Sequence, residues 1–121
     1  MVIKHVAARA EFPAGKMGKV RLAAGEFLYA GLNCFAPGQA HHAHTHPDQD
    51  KLYYVIEGRG DAVLGDEITP VEPGDLVLAP AGVPHGMANT GDVPLVVLTL
   101  FAPPPKRSEE HTSELQSPCN L

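Results

Sequence analysis

Apolar positions along the chain fall in short runs punctuated by glycine and proline, and several runs alternate apolar with polar residues. Lys19 to Ala23 (KVRLA) alternates as a half-buried strand does. Phe27 to Phe35 (FLYAGLNCF) is a longer apolar strand candidate closed by Pro37-Gly38. Leu52 to Glu57, Asp61 to Leu64, Glu67 to Val71 and Leu76 to Ala79 are further short strand candidates, with turns at Gly58–Gly60, Gly65-Asp66 and Pro73-Gly74-Asp75. Leu95 to Phe101 (LVVLTLF) is apolar throughout, as in a strand buried on both faces, and Pro103 to Pro105 ends the run. Val2 to Val6 reads as an edge strand or a strand exchanged with a partner. About nine or ten short strands at close spacing, with no amphipathic helix of note, predict an all-β antiparallel barrel or jelly roll.

Composition sharpens this picture at a few points. The 121 residues suit one domain with one core. Twelve glycines and twelve prolines, spread between apolar runs, favour strands and turns over a helical bundle. A formal net charge of -5 argues against nucleic acid as a bulk electrostatic partner. No apolar stretch approaches a membrane span, and MVIKHVAARAEF lacks the apolar core of a secretory signal. A cytoplasmic protein is the expectation. The stretch RSEEHTSELQS, from Arg107 to Ser117, resembles the in-frame translation of a sequencing adapter. The expected organisation is therefore one barrel over residues 1–105 and a non-native or disordered tail over 106–121, with no function for His111 or Cys119. Cys34 is then the one relevant cysteine, a small buried hydrophobe with no cationic neighbour to activate it.

Candidate chemistry concentrates between Gly38 and Gly58 (GQAHHAHTHPDQDKLYYVIEG), where His41, His42, His44 and His46 crowd together. Strict strand alternation points His42, His44 and His46 one way and His41 the other. An HxH pair on one strand can bring two imidazoles to one metal ion. The alternative is a solvated, histidine-rich strand end. A second informative stretch, Gly74 to Asn89 (GDLVLAPAGVPHGMAN), carries His85 in a segment set by Pro80, Gly82 and Pro84. Gly82 is suited to a backbone conformation that a β-carbon resists. Asn89 is better suited to closing a turn than to binding metal.

Together the two stretches resemble the two-motif signature of the cupin family. The second motif matches at Gly74, Pro80, Gly82, His85 and Asn89, and the first at Gly38, His44, His46 and Gly58. The resemblance implies a small jelly-roll (RmlC-like) barrel, usually a homodimer, with a divalent transition metal (Fe, Mn, Ni, Cu or Zn) held by His44, His46 and His85 inside one end. One departure stands out. Counting back from Gly58, the position where the family usually places a glutamate ligand is Lys51. An ammonium cannot ligate a metal unless deprotonated. Gln49, Asp50 or His42 are candidate fourth ligands; a three-histidine site completed by water and a site without metal are the other readings. Tyr53 shares strand parity with Lys51 and is a candidate proton donor or core tyrosine. Tyr54 alternates to the other face, Glu57 reads as a turn residue, and Lys51, Tyr53 and Met87 are candidate pocket residues.

For function, the resemblance implies a metal-binding enzyme acting on a small molecule, of dioxygenase, isomerase or decarboxylase type. The alternative is a non-catalytic small-molecule or anion-binding module without metal, favoured by Lys51. Neither nucleic acid nor a membrane is an expected partner.

Overall fold

The computed structural model describes residues 1–105. The expected tail, with His111 and Cys119, lies outside the described residues. Nine strands run through the described part: β1 (Gly18–Ala24), β2 (Tyr29–Phe35), β3 (Ala40–His44), β4 (Asp50–Glu57), β5 (Gly60–Leu64), β6 (Glu67–Val71), β7 (Leu76–Ala79), β8 (His85–Ala88) and β9 (Leu95–Ala102). They form a five-stranded sheet, ordered β1-β2-β9-β4-β7, and a four-stranded sheet, ordered β3-β8-β5-β6. The pairings are antiparallel. This is the all-β jelly-roll arrangement that the spacing of turns predicts.

The two sheets bury their inner faces against each other. Phe35, Tyr53, Val55, Leu95 and Val97 of the larger sheet form one apolar cluster with Ala62, Val71 and Met87 of the smaller. Inward and outward residues alternate along β9, as they must on a pleated strand: Val97 joins this cluster, whereas Val96 joins a second one on the outer face. That outer cluster consists of Leu32, Cys34 and Val96, with Ala10, Val20, Leu22, Ile56 and Leu98 packed on it. Both faces of β9 are therefore buried, which accounts for its unbroken apolar sequence. Cys34 is fully buried, and burial pushes its thiol pKa up, so it serves as a core residue.

The N-terminus departs from expectation. Val2 to Val6 is not a strand; Val6–Arg9 instead forms one 3₁₀ turn preceded by His5 in the left-handed region, φ 55. Among the described residues β1 is an edge strand paired only with β2, and Val2 to Val6 does not add to its open side. Ala7 and Ala8 also favour helical dihedrals. The apolar run beginning at Phe27 likewise enters β2 only at Tyr29. Phe27 and Leu28 are exposed and belong to the β1–β2 turn, which a Gly25 N–H to Leu28 carbonyl bond of 2.7 Å closes.

Asn89 ties three chain segments together, in the turn-closing role its sequence position suggests. Its Nδ2 donates to the Phe35 and Val93 carbonyls at 3.0 and 2.9 Å, and its Oδ1 accepts from the Gly91 N–H at 2.9 Å. Asn89→Leu leaves the buried Phe35 carbonyl and two partly buried backbone groups without a side-chain partner and is expected to cost about 1–3 kcal/mol. Equilibrium urea unfolding checks this; an unchanged midpoint would contradict the role.

Candidate metal centre

The site begins with an irregularity in β3. In its pairing with β8, His41 lies opposite Met87 and His44 opposite His85, so the register shifts between His41 and His44. A bulge of this kind reverses side-chain parity beyond it. His41 and His44 therefore both turn inward, with ring centroids 4.3 Å apart. His42 is exposed. The alternation expected from sequence is thus corrected: His42 is outside the cluster and is not placed to be a fourth ligand, while His41 is buried against it.

Gly86 permits the bulge. A β-carbon there would lie 2.6 Å from the His41 carbonyl oxygen and 3.0 Å from the Ala43 nitrogen, so β3 can approach this closely only because residue 86 has no side chain. On the other side, Gly82 adopts φ +85 and donates its N–H to the His46 carbonyl at 3.0 Å. This bond joins the loop before β8 to the segment after β3.

His44, His46 and His85 converge. One nitrogen from each lies within 4.8 Å of the others. The ring centroids are 4.9 Å apart for His44–His46, 4.5 Å for His44–His85 and 5.3 Å for His46–His85. His44 Nδ1 lies 2.8 Å from the His42 carbonyl, and His85 Nδ1 lies 2.9 Å from the Val83 carbonyl. A carbonyl can only accept, so both rings are Nδ1–H tautomers and both Nε2 atoms carry lone pairs. These two Nε2 atoms are buried and have no hydrogen-bond partner in the protein. An outer-sphere carbonyl on one nitrogen and an open lone pair on the other is the arrangement of a metal-bound histidine. The donor set therefore fits a divalent transition ion.

The surroundings keep the rings neutral. His44 is pulled down to about 3, chiefly by burial, with the Lys51 charge adding and the His42 carbonyl opposing. His85 is lowered by burial and by Lys51, and His41 is lowered strongly by burial and by Lys19 and Lys51.

The remaining candidates are placed as follows. Lys51 is fully buried inside the barrel, its Nζ 4.7 Å from the Tyr53 ring and 4.8 Å from the Phe101 ring. Phe101 also meets His46 edge-on at 5.5 Å. Asp50 Oδ1 accepts from the Ala81 N–H at 2.8 Å, and Gln49 Nε2 donates to the Pro103 carbonyl at 2.9 Å. Each is tied to a loop through one side-chain atom, and Asp50 lies outside the His44, His46 and His85 group. Tyr53 is fully buried with its ring 6.1 Å from that of His85; its hydroxyl has no protein partner, and burial pushes its pKa up, so it keeps its proton. Met87 is buried in the core between His41 and Ala62 in register. Asn33 went unnoticed in the sequence. It is 1% exposed on β2, and neither amide atom has a protein partner. A lone amide inside FLYAGLNCF was the available signal.

A cupin-domain family model matches residues 31–101. The chain belongs to the cupin family. This cupin is 38% identical over 73 residues to MJ1618 of Methanocaldococcus jannaschii, a match covering 60% of the chain and 57% of that protein. It is 34% identical over 65 residues to glucose-6-phosphate isomerase of Thermococcus onnurineus, covering 50% of the chain and 34% of the isomerase. It is 36% identical over 70 residues to gentisate 1,2 dioxygenase 1 of Aquipseudomonas alcaligenes, covering 57% of the chain and 20% of the dioxygenase. The matches thus span less than two thirds of each of these relatives. Among solved structures, TT1209 from Thermus thermophilus superposes with TM-score 0.81 at 36% identity, covering 85% of this chain and 98% of that one. An RmlC-like cupin from Desulfovibrio desulfuricans superposes with TM-score 0.76 at 26% identity, covering 85% and 97%.

The lowered histidines set a pH dependence. Unfolded, each titrates near its ordinary value of 6.5; folded, His44 titrates near 3. Between these values the unfolded chain binds protons that the native state refuses, so stability falls as pH falls through that window. His41 and His85 shift in the same direction and add to the effect. Urea midpoints of metal-free protein are expected to drop between pH 7.5 and pH 4.5, and less steeply in His44→Gln. Midpoints independent of pH would contradict the assignment.

Proposed function

We propose that this cupin is a metal-dependent enzyme acting on a small molecule inside the barrel, of the dioxygenase, isomerase or decarboxylase type. His44, His46 and His85 hold one divalent transition ion. The observation that carries the reading is the pair of buried, partnerless Nε2 atoms on His44 and His85, each ring fixed by a backbone carbonyl at Nδ1. Bound there, such an ion supplies Lewis-acid polarisation of a substrate oxygen and, if redox-active, one-electron chemistry. The chain supplies the rest. Tyr53 keeps a proton on its buried hydroxyl and, with its ring 6.1 Å from that of His85, is a proton donor beside the triad. Lys51 adds positive charge beside the triad, and Phe101 and Met87 exclude water. The likeness to an isomerase and to a dioxygenase supports the enzyme class.

A second reading, an anion-binding module without metal, is favoured by Lys51 alone, since its charge opposes a cation at the triad. In either reading residues 1–105 work as one barrel domain in the cytoplasm. A homodimer is supported by Tyr54, Leu76 and Leu78, which are 41%, 62% and 53% exposed on the outer face of β4 and β7.

Elemental analysis after anaerobic reconstitution separates the two readings. The enzyme reading predicts about one transition ion per chain, and none in a His44→Ala, His85→Ala double variant. Loaded protein is then screened for turnover against small phenols, diketones and sugar phosphates. A protein that stays metal-free after reconstitution ends the enzyme reading.

A further inference from the structure

The inward side chains of the larger sheet form rows, set by strand register. One row runs Lys51–Phe101–Tyr29, the next Tyr53–Thr99–Gly31, and the next Val55–Val97–Asn33–Lys19. On the smaller sheet, His44 and His85 pair at the level of the triad, and His41 and Met87 pair further in. Beyond lies the apolar core with Phe35 and Leu95. Several buried polar groups lie along these rows. Both amide atoms of Asn33, both ring nitrogens of His41 and the hydroxyl of Tyr53 are buried without a hydrogen-bond partner in the protein. Buried polar atoms in native proteins are nearly always satisfied, so a set of this kind points to a ligand or ordered water.

Charge says which ligand. His41 lies in the field of both Lys19 and Lys51. We propose that Asn33 and His41, with the Lys19 and Lys51 ammonium groups around them, form a subsite for the carboxylate of a small organic acid, one step deeper than the histidine triad. The Asn33 amide and a His41 N–H donate to the carboxylate oxygens, and the ammonium charges favour its ionised form. A carboxylate fits better than a phosphate. The strand backbone N–H groups around the site are used in the sheet ladders, no helix N-terminus is present there, and the few side-chain donors match a carboxylate's acceptor sites. This inference rests on the reading of the barrel interior as a small-molecule site and gives its substrate class: an acid whose carboxylate is anchored at Asn33 while a neighbouring oxygen reaches the triad.

Calorimetry on the full chain, zinc-loaded and metal-free, tests this with malonate, malonamide and inorganic phosphate as probes. Malonate is expected to bind both forms, and malonamide and phosphate at least about tenfold more weakly. Asn33→Leu, and the isosteric Asn33→Asp should the first fail to fold, are expected to weaken malonate binding at least about tenfold. Zinc affinity should stay within about threefold of the parent, because Asn33 is outside the ligating group. Malonate affinity unchanged in both variants overturns the subsite, as does malonamide or phosphate binding as tightly as malonate. Zinc binding without malonate binding overturns the subsite while the metal site stands. Asn33-dependent malonate binding without zinc binding supports the subsite and overturns the metal reading.

Discussion

Two backbone carbonyls, those of His42 and Val83, govern what this barrel can do. Each accepts a hydrogen bond from Nδ1 of the histidine two residues further on, at 2.8 and 2.9 Å. The bond fixes the tautomer and the ring plane together, and it leaves Nε2 as a buried lone pair. With burial holding the imidazoles neutral, the two rings are donors prepared in advance of any ion, and His46 completes the group. The same local device on β3 and on the approach to β8 makes the site a property of two short segments.

Those segments hold their places because the scaffold is built around them. The bulge in β3 turns His41 and His44 inward together, and it can do so only against the bare backbone of Gly86. Gly82 links the loop before β8 to His46, and Asn89 anchors the far end of β8 to the end of β2. On the facing sheet, β9 is buried on both faces and carries Phe101 between Lys51 and His46. A cation stacked on aromatic rings tolerates burial better than one among aliphatic groups. That helps Lys51 to occupy the interior position where a carboxylate is usual in the family.

Much of the fold was legible because its signals are local. Glycine and proline mark nearly every turn between β4 and β8, and the doubly buried β9 announces itself by an unbroken apolar run. The triad was legible as well, since His44, His46 and His85 sit in two motifs of fixed spacing. What failed was parity. His42 was expected inside and His41 outside, because alternation assumes an unbroken ladder and the bulge is a tertiary feature set by Gly86 on another strand. Val2 to Val6 failed because β propensity alone does not recruit a strand: the outer edge of β1 is open, yet the chain turns into a 3₁₀ segment instead of pairing there. The loop hydrogen bonds of Asp50 Oδ1 and Gln49 Nε2 join segments far apart in the chain, which spacing along the sequence does not reveal. Asn33 was visible as the odd amide in an apolar run, yet its importance emerges only when β2 faces the histidines across the barrel.

Three imidazoles, and no carboxylate of the barrel, form the protein's share of the proposed metal site. X-ray absorption at the metal edge of nickel-loaded protein tests this most directly, because it counts imidazole rings by their outer-shell scattering. Three imidazole ligands per ion, with nitrogen distances of about 2.0–2.2 Å, are the predicted result. A first shell with fewer than two imidazoles, or one made only of oxygen, would contradict it.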